Sequence, residues 1–381
     1  MIITFLNKGF RRNLLIALAL FVSLGACQMD KSEAPASTSM FVTTNSGSLY
    51  CFDLSTDSLC WQQLQTDPDI DELSYMTVYK EQLIKDYLNG TIVSYAKNSG
   101  RQNWIFRDSV SKDQAFYGYH FDDVRFAHFY QRPIVYGDHM LFANSHGEIK
   151  SISIEDRTEK WNYQSGTVLM SEPLVEGDAV YQTTGYQLVK LAAETGKQLA
   201  KFNLEEGSSF APKLHGGLLY ILTEKGRVYC LNQELAIQWE YKPTSDEVYV
   251  QSELFITDNI ILLPFDGLSA LDPKTGDIQW AMKDLGDIKS LDLLERNKYV
   301  VLAKDRILIL DRSGKVAQEK AWSPDLGQPL ALTVANSNLY MITYQGALYK
   351  MSSQLDQIKL LKSDLQLNNE RGLQAAYFLK E

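Results

Sequence analysis

Short runs in which β-branched and aromatic residues alternate with polar ones recur along almost the whole chain, separated by tight polar turns. Leu83 to Trp104 reads LIKDYLNGTIVSYAKNSGRQNW, Met140 to Trp161 reads MLFANSHGEIKSISIEDRTEKW, and Ile260 to Trp280 reads IILLPFDGLSALDPKTGDIQW. Each is a β-rich run, a turn often ending in Gly, a second run, a tight turn and a third run ending near Trp. Period-two alternation between turn residues predicts strands joined as hairpins. A further short run precedes each block, as in Ser74 to Val78, Pro133 to Tyr136 and Pro329 to Val334, so each period holds four strands.

The period is visible in tryptophan alone. Trp61, Trp104, Trp161, Trp239, Trp280 and Trp322 are spaced by 43, 57, 78, 41 and 42 residues. The 78 is two periods with one Trp skipped and the 57 is one period with an insertion, which places all six in register. The turn before the third strand falls at Gly47, Gly90, Gly147, Tyr186, Gly226, Gly267, Arg306 and Gly346, which makes eight units. Eight four-stranded units without helices predict an all-β, eight-bladed propeller of antiparallel blades. The first block starts at its second strand, Met40 to Thr44, and an unpaired β-like run, Leu373 to Leu379, follows the eighth. That C-terminal run is expected to complete the first blade and remove an open sheet edge.

The N-terminus is different. Lys8, Arg11 and Arg12 precede the apolar run Leu14 to Leu24, which at eleven residues is too short for a permanent span but suits a signal peptide. Leu24-Gly25-Ala26-Cys27 resembles the bacterial lipobox, which implies cleavage between Ala26 and Cys27 and acylation of Cys27. Gln28 stands where the sorting rule of such lipoproteins would place an inner-membrane Asp, so the resemblance favours the periplasmic face of the outer membrane. The expected organisation is a signal peptide over 1–26, a lipidated tether over 27–39 and the propeller over 40–381.

Composition narrows function by exclusion. A formal charge of -10 and no basic run outside the N-terminus leave nucleic acid without a footprint. No Gly-x-Ser-x-Gly, His-Glu-x-x-His, P-loop or dinucleotide fingerprint occurs, so no catalytic residues are expected. His120, His128, His139 and His146 cluster with Asp122 and Asp123, but their spacing fits no compact ligand motif, and no metal site is expected. Cys51 and Cys60 lie across one hairpin and either form a disulfide or pack as two buried thiols, while Cys230 stays single.

Ala270, Asp272, Thr275, Gly276 and Trp280 match the Ala-x-Asp-x-x-Thr-Gly-x-x-x-Trp docking motif of quinoprotein-type (PQQ-like) propeller repeats. Trp61, Trp104, Trp161 and Trp239 take the same place in other blades, and Ala200 replaces Trp in one. A lipobox followed by eight such blades resembles the BamB family of outer-membrane assembly lipoproteins. The resemblance implies a non-enzymatic scaffold without cofactor, bound to the BamA insertase and other assembly-complex subunits. Its partner loops would fall at Leu204 to Phe210 and Thr244 to Val250, with Phe210, Asp246 and Glu247 as contact candidates, although neither loop reproduces the family's side chains. The alternatives are a lipid-anchored propeller for another envelope protein or a glycan and, less favoured, a PQQ-dependent dehydrogenase. Such enzymes resemble longer chains with a vicinal Cys pair, which is missing here. The insertion within Phe106 to Arg132 carries Tyr117, Tyr119, Phe121 and Arg125, and is either a partner-binding loop or a hairpin packed on its own blade.

Overall fold

The computed structural model describes residues 38–65, 75–87, 90–108, 131–244, 248, 250, 252–257, 260–265, 267–295, 298–304, 306–367 and 376–380. The chain divides into 1–36, outside the described residues, and 37–381, the propeller. Eight four-stranded antiparallel sheets follow one another. Blades 2 to 8 span residues 76–107, 134–164, 174–208, 213–241, 255–282, 288–321 and 329–362. Blade 1 joins both ends of the chain: its last three strands are Ser39–Thr44, Leu49–Asp53 and Ser58–Gln63, and its innermost strand is the C-terminal Ala376–Lys380. Met40 pairs with Lys380 and Thr44 with Ala376, so the predicted closure is present, shifted a few residues toward the C-terminus.

Burial follows strand position within each blade. The second and third strands are covered on both faces by neighbouring blades, which is why Ile260–Leu263 and Arg306–Asp311 read as almost unbroken apolar runs. The fourth strand is a perimeter edge and alternates, as in the half-buried and exposed positions of Val316–Ala321. The core is divided accordingly. Each apolar cluster joins two adjacent blades, such as Leu141, Ile149 and Trp161 of blade 3 with Val180, Val189 and Leu191 of blade 4. The eight joints therefore hold the ring together.

A shared device builds these joints. In every blade a bulge interrupts the pairing of the third and fourth strands. The turn between those strands ends in a residue with positive φ: Asp57, Gly100, Arg157, Gly196, Leu235, Gly276, Gly314 and Leu355. Where that residue is Gly, a Trp of the preceding blade lies flat on it. A Cβ built on Gly100, Gly196, Gly276 or Gly314 would stand 2.5, 2.4, 2.5 or 2.5 Å from the ring of Trp61, Trp161, Trp239 or Trp280. The same four indoles donate to turn carbonyls of the next blade, at Lys97, Ala193, Pro273 and Arg312.

Where the turn residue carries a side chain, the preceding blade gives way. Ala200 faces the joint that holds buried Leu235, so the large and small partners are exchanged. Trp104 donates to Gln82 of its own blade at 3.2 Å, and the Arg157 guanidinium sits 5.8 Å over its ring. Asp57 takes Lys350 at 2.7 Å and Lys359 at 2.9 Å from blade 8, so the closing joint is an ion-pair network. Burial alone would raise the Asp57 pKa, but hydrogen bonds from the two lysines outweigh it and hold the group below the usual carboxylate range. Trp322 breaks the expected register. Gln318 occupies the joint position opposite Ile309, and Trp322, four residues on, donates to Gly327 in its own connector.

The Cys51 to Cys60 disulfide is not formed. Cys51 is buried and pairs across the hairpin with Trp61, while Cys60 is the extra residue of the bulge and is exposed. Burial pushes the Cys230 thiol up to about 11. Of these three thiols only Cys60 is therefore expected to react with maleimide in the native protein, Cys51 and Cys230 following after unfolding, with no mass change on reduction. Rapid labelling of Cys51 would contradict this arrangement.

Candidate interaction surfaces

In a four-stranded meander the turn between the second and third strands and the connector to the next blade lie at one end of the ring. The first expected partner loop is largely strand, since Leu204 to Ser208 are the last residues of the outer strand of blade 4, Gln198–Ser208, and only Ser209 and Phe210 lie in the connector; the second falls between Tyr241 and Phe255, and both reach this rim. The first meets a charged cluster on blade 5. The Arg227 guanidinium bonds Glu205 and Glu240, each at 2.6 Å, and Glu206 at 3.1 Å. Thr223 adds a hydroxyl to Glu206 at 2.7 Å, and Tyr186, 66% exposed, projects from the neighbouring turn. Phe210 is half-buried against the joint of blades 5 and 6, and its carbonyl accepts from Thr183 at 2.7 Å. In the second loop, the Val250 amide donates to the Glu224 backbone carbonyl at 3.1 Å; Asp246 and Glu247 lie outside the described residues. Chain entry at Ser39 is opposite Asp53, at the other end of the ring.

Tyr117, Tyr119, Phe121 and Arg125 of the insertion also lie outside the described residues, as do His120 and His128. The segment departs from Asp108, which belongs to a buried polar network. Lys150 donates to Asp108 at 2.6 Å and lies 3.1 Å from Glu148; Asn144 donates to both carboxylates at 2.8 Å, and Asn162 adds a bond to Glu148 at 2.9 Å. Burial would raise the Glu148 pKa, but bonds from Asn144 and Asn162 and the Lys150 charge outweigh it and hold it below the ordinary value. Burial likewise holds the His146 pKa below its ordinary value, keeping the ring neutral. Both folded pKa values are depressed. Their stabilisation is present above the unfolded values and is lost as pH falls, first for His146 below about 6.5 and then for Glu148 below about 4.5. Glu148→Gln is expected to flatten the loss of melting temperature between about pH 5 and pH 3; an unchanged slope would contradict this.

His139 lies 3.3 Å from Asp138 and 3.4 Å from the Ser151 hydroxyl. Among the described residues no group of three or more His, Cys, Asp or Glu converges as a metal site.

The first strands of blades 3 to 7 line a cavity of about 630 Å³ along the axis. Its mouth carries charges of alternating sign: Arg132, Glu172, Lys213, Glu253 and Lys289, one from each successive blade. Arg132 grips Glu172 through two bonds at 2.8 and 3.3 Å, Lys213 pairs with Glu253, and Lys289 donates to the Pro329 carbonyl at 2.7 Å. Tyr75 and Tyr377 pack at 4.0 Å on the other side of the channel. Sequence reasoning missed this belt. Its signal was a charge beside the opening proline of successive repeats, in Arg132-Pro133, Glu172-Pro173 and Pro212-Lys213.

A family model described as outer membrane protein assembly factor BamB matches residues 145–358, more than half of the chain. The chain belongs to the BamB family. BamB from Moraxella catarrhalis is similar over 83% of this chain and 92% of its own, with 16% identity and a TM-score of 0.64. A quinohemoprotein alcohol dehydrogenase from Comamonas testosteroni is similar over 87% of this chain and 74% of its own, with 10% identity and a TM-score of 0.61. The computationally designed Ika8 protein covers 74% of this chain and 85% of its own, with 12% identity and a TM-score of 0.57. At such identities the likeness is one of fold, shared by an assembly factor, an enzyme and a design. The search of curated proteins returns no match. As a BamB-family propeller, the molecule presents an acidic, arginine-bridged rim and a charged channel mouth at one end.

Proposed function

We propose that this chain is a non-enzymatic, lipid-anchored scaffold of the outer-membrane β-barrel assembly complex. In this reading the leader over 1–26 is removed after Ala26, acylated Cys27 holds the tether over 27–39 at the periplasmic face of the outer membrane, and the propeller over 40–381 binds a BamA-like insertase and aids insertion of β-barrel proteins. The family match over 145–358 carries the reading, because it spans the rim of blades 4 to 6. Two further observations support it. The described chain enters blade 1 at the end opposite that rim. No helix among the described residues is long and apolar enough to cross a membrane, and acyl chains at about 0.8 kcal/mol per buried CH₂ suffice for stable attachment.

Affinity purification of the full-length chain from detergent-solubilised membranes tests both parts. The insertase is expected to co-elute, and Tyr186→Lys, at an exposed position beside the arginine cluster, is expected to lower its recovery about tenfold without changing the melting temperature. Recovery of the propeller alone would overturn the partner, and persistence of Cys27→Ser in the membrane fraction would overturn the anchor.

A further inference from the structure

The scaffold reading leaves the channel unused, although its walls are those of a ligand cup. We propose that the channel binds a small uncharged apolar molecule, an alcohol or similar neutral compound on an aliphatic chain. About 630 Å³ lies within the range of small-molecule sites, roughly 300–1,000 Å³. The opening residue of the first strand lines this space in blades 3, 4 and 6, and there it is Ile134, Leu174 and Phe255. Each is half-buried, as is Leu291 of blade 7, although all four lie toward the centre of the ring. Polar side chains at this register would satisfy water. Apolar ones do not, and an apolar guest recovers about 25 cal/mol per Å² of the surface it covers.

The belt at the mouth decides against a charged guest. Arg132 holds Glu172 through two bonds at 2.8 and 3.3 Å, Lys213 pairs with Glu253, and Lys289 donates to the Pro329 carbonyl at 2.7 Å. These five charges are therefore already engaged within the protein. A guest carboxylate or ammonium could claim one of them only by loosening such a contact, which leaves the abandoned partner desolvated. The side chains of Leu174, Phe255 and Leu291 cannot replace the water that an ion would shed on entry. An uncharged guest leaves all five contacts in place and covers the apolar walls.

Calorimetric titration of the full-length Cys27→Ser chain in detergent-free buffer, where neither an acyl group nor a micelle competes for the probe, compares 1-octanol with octanoate and octylammonium. One 1-octanol per chain is expected to bind, and each ion at least about tenfold more weakly. Leu291→Trp, which fills the cup, should abolish saturable binding. Leu174→Trp fills it from another blade and provides the same test should the first variant not fold, with the melting temperature as the check on folding. Absence of a saturable 1-octanol isotherm, equal or tighter binding of either ion, or undiminished binding by a folded, filled variant would each overturn the proposal. The titration uses the chain alone, so its result is independent of insertase recovery and of the scaffold reading.

Discussion

Removing residues 376–381 is expected to lower the melting temperature by about 10 °C and to broaden the transition. Five register pairs tie Ala376–Lys380 to Met40–Thr44, and at about 1 kcal/mol per net backbone hydrogen bond the strand contributes about 5 kcal/mol before packing is counted. The loss would not stay local. Lys380 reaches Asp292 of blade 7 at 3.0 Å and the Val334 carbonyl of blade 8 at 2.7 Å, and the same Asp292 carboxylate accepts from the Thr333 hydroxyl and the Val334 amide at 2.8 Å. Tyr377 packs against Tyr75 of blade 2. One strand thus joins blades 7, 8, 1 and 2 at the axis, and its removal leaves Met40–Thr44 as an uncovered edge. Differential scanning calorimetry of the truncated and parent chains measures this. An unchanged transition would show that the ring does not depend on its closing strand.

Gly196→Ala should rank among the most damaging single substitutions on the surface turns, costing about 3 kcal/mol. A methyl there would stand 2.4 Å from the Trp161 ring and would take a φ of 65° unfavourable to L residues. The turn residue of blade 3 provides the contrast. Arg157 already has a φ of 60° with a full side chain, because Trp104 has turned back to Gln82, so Arg157→Ala should cost less than about 1 kcal/mol. Denaturant unfolding of the two variants checks the ordering, and equal losses would contradict the proposed joint.

The repeat made the architecture legible. Strand alternation, eight turn positions and a leftover C-terminal run were sufficient for the blade number and the closure, because these depend on local pattern and on counting. The joints were less legible, since each is a pair of residues far apart in sequence, 34 to 39 positions in the four Gly–Trp joints, and a change in one is compensated in a neighbouring blade. Ala200 looks like a decayed Trp until Leu235 is seen to fill the gap, and Trp322 looks like a conforming Trp until Gln318 is found in its place. The bulge that sets Cys60 outside and Cys51 inside likewise adds one residue that simple alternation does not predict. The channel belt was hidden for a related reason: its alternating charges become a ring only after the blades are closed.

Adjacent blades are locked, on this account, by an indole lying on a backbone that has no room for a side chain. A double-mutant cycle in denaturant measures that lock directly, using Gly196→Ala in the parent chain and in Trp161→Ala. The predicted penalty for the alanine is about 3 kcal/mol with the indole present and about 1 kcal/mol without it, a coupling of about 2 kcal/mol. Strictly additive losses would mean that the Gly serves its turn alone and that the blades are held together by something else.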